Sequence, residues 1–403
     1  MKAVVFRGIG DIRVEDVPEP KIQNPTDAIV RLTSSAICGT DLHFVRGTFA
    51  GVKPGTILGH EGVGIVEAVG TEVRNFEPGD RVVIPSTIAC GNCSYCRAGY
   101  YAQCDTVNPG GKRAGTAFFG GPAAAGGFDG LQAEKARIPY AHVGLVKLPD
   151  SVSDDQALLL SDIFPTAWFG AEMAAVEQGR TLAVFGCGPV GQFAIASAKL
   201  MGAGRIFAID GNDDRLAIAR RQGAEVINFE KEDPVEMLVK LTGGIGVDRA
   251  IDAVGVDAAH PHHGAAREQA QQQKAGFEQQ LDQIAPERSQ QPPFAPGDAP
   301  TQVLLWAVEA LAKAGTLSII GVYPPTVQSF PIGQAMNKNL SIRMGNCHHR
   351  KYIPHLVDLV ASGTIDPLQL LTQQQELSNA VEAYETFDAR KPGWLKVKLQ
   401  PAA

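Results

Sequence analysis

The chain has 403 residues, with 36 lysines and arginines against 43 aspartates and glutamates and a formal charge of −7. That acidic balance argues against a sequence-independent nucleic-acid binder, which needs a basic face. Hydrophobic residues at 44% and charged residues at 20% exclude a disordered or fibrous chain, and the length predicts two or three domains. In chain order, the opening apolar run Ala3–Phe6 is too short for a signal-peptide core, and no uninterrupted run of about 20 apolar residues follows. The expectation is a soluble cytoplasmic protein with no membrane partner. Ala3–Phe6, Ala28–Thr33, Gly64–Val69 and Arg81–Ile84 are β-rich runs separated by turn residues, which predicts a partly closed barrel or sandwich over the first 150 residues. Ser153–Ala175 reads as helical segments. From Thr181 strands and helices alternate: Thr181–Phe185, a helix to Met201, Arg205–Asp210, a helix over Arg215–Gln222, and Val226–Phe229. Further strands are expected at Val247–Ala253 and Leu317–Val322, so this region reads as a parallel sheet with crossover helices. Residues 260–300, rich in Gln, Ala, Pro and His, interrupt it. Their central part, Ala265–Ile284, can form a polar helix, and the whole reads as an insertion: a surface excursion, or a loop serving oligomerisation or covering a cofactor.

Seven cysteines are present, and Cys90, Cys93, Cys96 and Cys104 fall in ACGNCSYCRAGYYAQC with the spacing C-x2-C-x2-C-x7-C. Four thiolates can surround one Zn²⁺ tetrahedrally and leave no position open for substrate, so the expected site is structural. An iron–sulfur cluster and a nucleic-acid zinc ribbon are the competitors. Gly186, Gly188 and Gly191 form G-x-G-x-x-G directly after a predicted strand and at the start of a helix, and Asp210 ends the next strand. This is the setting of a dinucleotide fingerprint. Gly186 permits the tight turn, Gly188 lets backbone approach a pyrophosphate, and Gly191 permits close helix–strand packing. Pro189 and Val190 open the helix beside that pyrophosphate. Asp210 accepts hydrogen bonds from ribose hydroxyls and repels a 2′-phosphate, which favours NAD over NADP; Arg215 could accept such a phosphate.

Cys38 in ICGTDLH and His60 and Glu61 in LGHEGVGIVEAVG each follow a strand-like run. Thiolate and imidazole are natural zinc ligands. The order Cys-Gly-x-Asp-x-x-His, Gly-His-Glu-x-x-Gly, the four-cysteine lobe and G-x-G-x-x-G resembles the zinc-dependent medium-chain alcohol dehydrogenases over nearly the whole chain. LLLSDIFPTAWFGA at 158–171, QCDTVNPGGKRAGTAFFGG and AIDAVGVDAAHPHHGA are similar to the branch of glutathione-independent formaldehyde dehydrogenase and formaldehyde dismutase. The resemblance implies an α/β protein: a GroES-like β-rich catalytic domain, residues 1–165 and 336–403, and a Rossmann doubly wound parallel-sheet NAD domain, residues 166–335.

It also implies two zinc ions per chain and NAD. Asp162 joins Cys38 and His60 as the third protein ligand of a catalytic zinc whose fourth position is open to an alcohol or aldehyde. Thr40 hydrogen-bonds the substrate oxygen, and His43 passes the proton outward. Asp41 orients His60, and Glu61 visits the metal or balances charge. The implied reaction is interconversion of alcohols and aldehydes by a homo-oligomer, tetramer or dimer. The alternative within the branch is a nicotinoprotein that keeps NAD bound and dismutates aldehydes. The rivals outside it are a non-catalytic NAD- or zinc-binding protein and a zinc-ribbon interaction module beside an unrelated dinucleotide fold. Competing readings of single residues are a helix cap for Asp162, since Pro165 follows, and a surface histidine for His43. Cys187 reads as packing. Cys347, His348 and His349 read as a helix start rather than a metal cluster, with Arg350 or Lys351 able to reach a cofactor phosphate. His260, His262 and His263 read as solvent-exposed, with cofactor approach or adventitious metal binding as the sharper readings. Phe118, Phe119 and Trp168 are candidates for the substrate cleft, although core packing is the commoner fate of aromatics.

Overall fold

Two sheets organise the chain in the computed structural model, which describes residues 1–110 and 115–401. Residues 111–114, inside one of the segments similar to the formaldehyde dehydrogenase branch, lie outside the described residues. The first sheet has seven strands in the order Gln373–Glu376, Val397–Gln400, Ala28–Ile37, Gly62–Val69, Arg81–Ile84 and Val146–Lys147, with Lys135–Ile138 also paired to Ala28–Ile37. Ala28–Ile37 is flanked on both edges and buried at eight of its ten positions. Its sequence AIVRLTSSAI suits that place, since only Arg31 and Thr33 reach partly toward solvent. Val397–Gln400 returns from the far end of the chain to pair with it antiparallel.

The second sheet is parallel throughout, in the order Glu225–Asn228, Arg205–Asp210, Thr181–Phe185, Val247–Asp252, Leu311–Ile319 and Ser341–Met344. Its first strand, Thr181–Phe185, lies in the middle. The chain builds outward on one side and then on the other. The order reverses between Thr181–Phe185 and Val247–Asp252, which leaves a crevice beyond their carboxyl ends. Pro189, with its fixed φ and missing N–H, opens the helix Pro189–Leu200 that faces this crevice. Asn212 caps the next helix, Asp213–Arg221: its Oδ1 accepts from the N–H groups of Asp214 and Arg215 at 2.9 and 3.2 Å, which fixes Arg215 in the first turn.

Two expectations need correction. A boundary at residue 336 would assign Ser341–Met344 to the β-rich lobe, yet these residues hydrogen-bond to Leu311–Ile319 as the outer strand of the parallel sheet. The parallel unit therefore continues to at least Met344. The segment 260–300 is also more than a surface excursion. Its helix, Arg267–Ile284, is followed by a stretch that reaches the other lobe. There Ser289 N–H donates to Arg46 O at 3.0 Å, and Phe294 is buried among Phe6, Phe44 and Tyr384. Among the described residues no helix is long and apolar enough to cross a membrane.

The strand-to-helix turn after Phe185 is built at a spacing only glycine allows. Gly186 has φ +88°, and a Cβ on Gly191 would lie 1.8 Å from Gly186 O. Gly191→Ala must therefore push the helix off the strand, and about 3 kcal/mol of destabilisation is expected. Denaturant unfolding of the variant checks this; an unchanged midpoint would contradict the packing described.

Candidate active site

The helix Gly39–Arg46 starts where the buried strand Ala28–Ile37 ends. Cys38 stands at its N-terminus, and Cys38 N–H donates to Asp41 Oδ2 at 2.9 Å, which fixes the turn. On this helix Thr40, His43 and Arg46 recur every three residues and so share a face. All three line a cavity of about 660 Å³ that runs to the crevice of the parallel sheet. Glycine precedes His60 at the start of the neighbouring strand region, and Asp162 precedes the helix Ile163–Met173.

These elements bring Cys38, His60, Glu61 and Asp162 together, all buried, with one donor atom from each within 4.8 Å of the others. Cys38 Sγ lies 3.7 Å from Asp162 Oδ2, and His60 Nε2 lies 3.4 Å from the same oxygen. On the far side of the ring, His60 Nδ1 is 3.1 Å from Asp41 Oδ1. Asp162 holds the helix N-cap position but makes no side-chain cap bond, so capping does not explain it. Its Oδ1 instead faces His349 Nε2 at 2.7 Å and accepts from Thr166 Oγ1 at 3.3 Å. Burial opposes ionisation of Asp162, yet hydrogen bonds from His349 and His60 hold its pKa well below the usual carboxylate range. Burial pushes the Cys38 thiol up, while His60 pulls it down.

The donor set fits a dication. Asp41, Glu61 and Asp162 surround one thiol, and among the described residues Lys396 is the only lysine or arginine within ion-pair distance of these carboxyl groups. Such a collection of buried acids calls for added positive charge, and Cys, His and Asp supply the S, N and O ligands that zinc takes. Lys396 Nζ sits 2.5 Å from Glu61 Oε1 and donates to Ile37 O at 3.0 Å. Glu61 Oε2 is buried with no hydrogen-bond partner among the described residues, on the residue next to His60.

The four sulfurs of Cys90, Cys93, Cys96 and Cys104 also lie within 4.8 Å of one another. The Cys93–Cys104 separation of 3.9 Å matches the edge of a tetrahedron with metal–sulfur bonds of about 2.3 Å. Sulfurs this close suit a single ion rather than a multi-iron cluster. Backbone N–H groups of Asn92 and Cys93 point at Cys90 Sγ at 3.4 Å each. Against the opposing effect of burial, these donors and the Thr106 hydroxyl bring its pKa down to about 7.

At the crevice of the parallel sheet, Gly186, Gly188, Pro189, Val190, Asp210 and Arg215 line the cavity. Gly191 sits behind them, packed on Gly186. Asp210 Oδ2 accepts from Cys187 N–H at 2.7 Å, and Arg215 NH1 stands 4.0 Å from the same oxygen.

Among the other sequence candidates, Phe118 lines the cavity, whereas Phe119 packs in the core of the β-rich lobe and Trp168 packs on His355. Lys351 pairs with Glu172, away from the crevice, and Arg390, which sequence reasoning passed over, lines the cavity with Arg215. Cys187 is buried packing, as expected. His43 is buried, with Nδ1 2.9 Å from Asp257 Oδ2. His348 precedes the helix His349–Ala361 without capping it, and burial and the charge of Lys351 push its pKa down to about 4, consistent with Nδ1 accepting from Ala102 N–H. His349 is the missed residue of the site: its Nδ1 meets Thr87 Oγ1 at 3.2 Å while Nε2 meets Asp162. His260 and His262 stand where the insertion begins, against Asp298 and Glu230 at 2.5 and 3.1 Å.

Removing Lys396 leaves Glu61 uncompensated at a fully buried site. Lys396→Met is expected to cost about 3–5 kcal/mol of stability, and adding Glu61→Gln should restore much of it. Denaturant unfolding of both variants checks this; an equal loss in the double variant would count against the pairing.

Two family models match the chain: the alcohol dehydrogenase GroES-like domain over residues 24–150 and the zinc-binding dehydrogenase over residues 189–262. The uncharacterized zinc-type alcohol dehydrogenase-like protein AdhB of Bacillus subtilis is 36% identical, with 100% of both chains covered. The glutathione-independent formaldehyde dehydrogenase of Pseudomonas aeruginosa is 35% identical over 97% of this chain and 96% of its own. Among solved structures, the alcohol dehydrogenase TADH from Thermus sp. ATN1 has a TM-score of 0.80 and 34% identity, with 100% of both chains covered. With its GroES-like domain and Rossmann-like parallel sheet, this chain belongs to the zinc-dependent medium-chain alcohol dehydrogenases.

Proposed function

We propose that the protein is an NAD-linked oxidoreductase that interconverts alcohols and aldehydes at the Cys38–His60–Asp162 site. The observation that carries this reading is the convergence of a thiol, an imidazole and a carboxylate at one end of a cavity whose other end is the dinucleotide crevice. When bound, a zinc ion would polarise the substrate oxygen and the nicotinamide would accept or return hydride. Cys38, His60 and Asp162 hold the metal. Asp41 fixes the His60 ring through Nδ1, so that Nε2 faces the donor set. Glu61, paired on one oxygen only, is a reserve carboxylate beside the metal ligands. Cys90, Cys93, Cys96 and Cys104 hold a second, structural zinc.

Thr40 hydrogen-bonds the substrate oxygen, and His43 takes the proton onward. The turn from Gly186 to Gly191 receives the pyrophosphate at the start of a helix. Asp210 accepts from the ribose hydroxyls. Its carboxylate repels a 2′-phosphate, and this favours NAD although Arg215 and Arg390 stand close by. The small-molecule substrate enters beside Phe118. Self-association through the outer strand Ser341–Met344 is part of the same reading. Among the described residues that strand is open on one side, and Ile332, Met336 and Met344 are strongly exposed on or beside it.

Metal analysis of the purified protein should return two zinc ions per chain; one would remove the catalytic-metal reading. In a panel of alcohols and aldehydes followed by nicotinamide absorbance, NAD should be used at least tenfold better than NADP. Asp162→Ala should abolish turnover while the fold and the structural zinc remain, and retained activity would refute its role as a ligand. Heating the protein and assaying the supernatant separates the two cofactor modes, since a resident dinucleotide is released stoichiometrically and a dissociable one is absent.

A further inference from the structure

We infer that Asp257, reaching across from the parallel-sheet lobe, is a positioning residue that orients His43, and that Arg46 holds it there. The inference rests on the reading of His43 as the proton acceptor.

Asp257 closes a short turn, Gly255–Asp257, just after the strand Val247–Asp252. The turn is pinned by the buried Asp252, whose Oδ1 accepts from the N–H groups of Val254 and Gly255 at 2.9 and 3.1 Å and whose Oδ2 accepts from Tyr323 at 2.7 Å. Asp257 is thereby carried against the helix Gly39–Arg46 of the other lobe. Its Oδ2 lies 2.9 Å from His43 Nδ1 and accepts from Arg46 NH1 at 2.7 Å. Arg46 is anchored in turn on Asp388, through Nε at 2.8 Å and NH2 at 2.7 Å. All four side chains are nine-tenths buried or more. Burial opposes ionisation of Asp257, but the Arg46 guanidinium and His43 hold its pKa far below the usual carboxylate range.

The consequence for His43 follows from donor and acceptor chemistry. An ionised carboxylate only accepts, so the ring nitrogen against it carries the hydrogen. Nδ1 is then N–H and Nε2 is the lone-pair nitrogen. The hydrogen on Nδ1 is directed at Thr48 Oγ1, 3.1 Å away, which accepts because its own hydrogen goes to His43 O at 3.4 Å, while Asp257 Oδ2 stands against the same nitrogen as an ionic contact. Asp257, which lines the same cavity, so does for His43 what the aspartate of a catalytic triad does for its histidine: it sets the tautomer and aim of the base. The base sits on one lobe and its orienting carboxylate on the other, so the ring is set only when the lobes are docked.

A double-mutant cycle tests this with Asp257→Asn and His43→Gln, singly and together, using NAD⁺ and the best primary alcohol of the panel. Asp257→Asn should lower kcat about tenfold, leave KM for the alcohol within about twofold, and cost less than twofold when His43→Gln is already present. Equal losses in the two backgrounds, no loss in the native background, or a loss confined to KM would overturn the inference. Unchanged kcat in His43→Gln would instead overturn the proton-acceptor reading on which it rests. A measurement on the native protein guards against a variant that fails to fold. Imidazole ¹⁵N resonances, with His43 assigned by its absence in the glutamine variant, should show the Nδ1–H tautomer, and the Nε2–H tautomer would exclude the inference.

Discussion

Around one thiol the chain buries three carboxyl groups, Asp41, Glu61 and Asp162. Each uncompensated charge in such a place is opposed by several kcal/mol, so the surrounding structure is a set of answers to that constraint. Lys396 neutralises Glu61 from the position just before the strand Val397–Gln400. Asp41 is held by Cys38 N–H and by Gln132, whose amide oxygen in turn accepts from Tyr384. Asp162 is met by His349, which Thr87 steadies on its other nitrogen. None of these partners is local in sequence to the carboxylate it serves, apart from Cys38. The fold is what supplies them, and a dication at the donor set would complete the balance.

The same logic joins the lobes. Charges buried at their junction must be paired across it, and Arg46 is shared between Asp257 and Asp388, which come from the parallel sheet's side and from the C-terminal region. The segment after the inserted helix adds a second tie: Phe294 sits in the β-rich lobe's core while its N–H donates to Asp388 Oδ2 at 2.9 Å. The cavity lies between surfaces that are fastened by hydrogen-bonded charge on one flank and by an inserted aromatic on the other.

What could be read from the sequence divides along physical lines. Thr181–Phe185 and Arg205–Asp210 were legible to the residue, because they are short apolar runs with a glycine turn or an acid at their ends, whereas the expected Leu317–Val322 caught only the end of Leu311–Ile319. The four-cysteine cluster was legible because its spacing is itself the geometry. The edge strand Ser341–Met344 was missed as part of that sheet, since SIRM is half polar and largely exposed and carries no buried-strand signature. His349, Lys396, Asp257 and Arg46 were missed as parts of the site for another reason. Asp257 does lie inside AIDAVGVDAAHPHHGA, but no segment around the four names its partners, which stand as far as 359 positions away. The one hint was compositional: a run of Cys, His and His that made no sense as a chelate on its own. The Gln-rich insertion misled in the opposite direction. Its polar helix looks like solvent-facing filler, and the single phenylalanine that anchors the far end gives no periodic signal.

The return of Val397–Gln400 to a place beside Ala28–Ile37 bears on how the molecule comes into being. Synthesis delivers Ala28–Ile37 well before Val397–Gln400, so one flank of the earlier strand is completed late. Until then Glu61 lacks its ammonium partner and the strand keeps an open hydrogen-bonding edge. The parallel-sheet unit, contiguous from Thr181 to Met344, has no such wait. Maturation is thus ordered by topology: the parallel sheet can pair its strands while the pocket around Cys38 still lacks one flank.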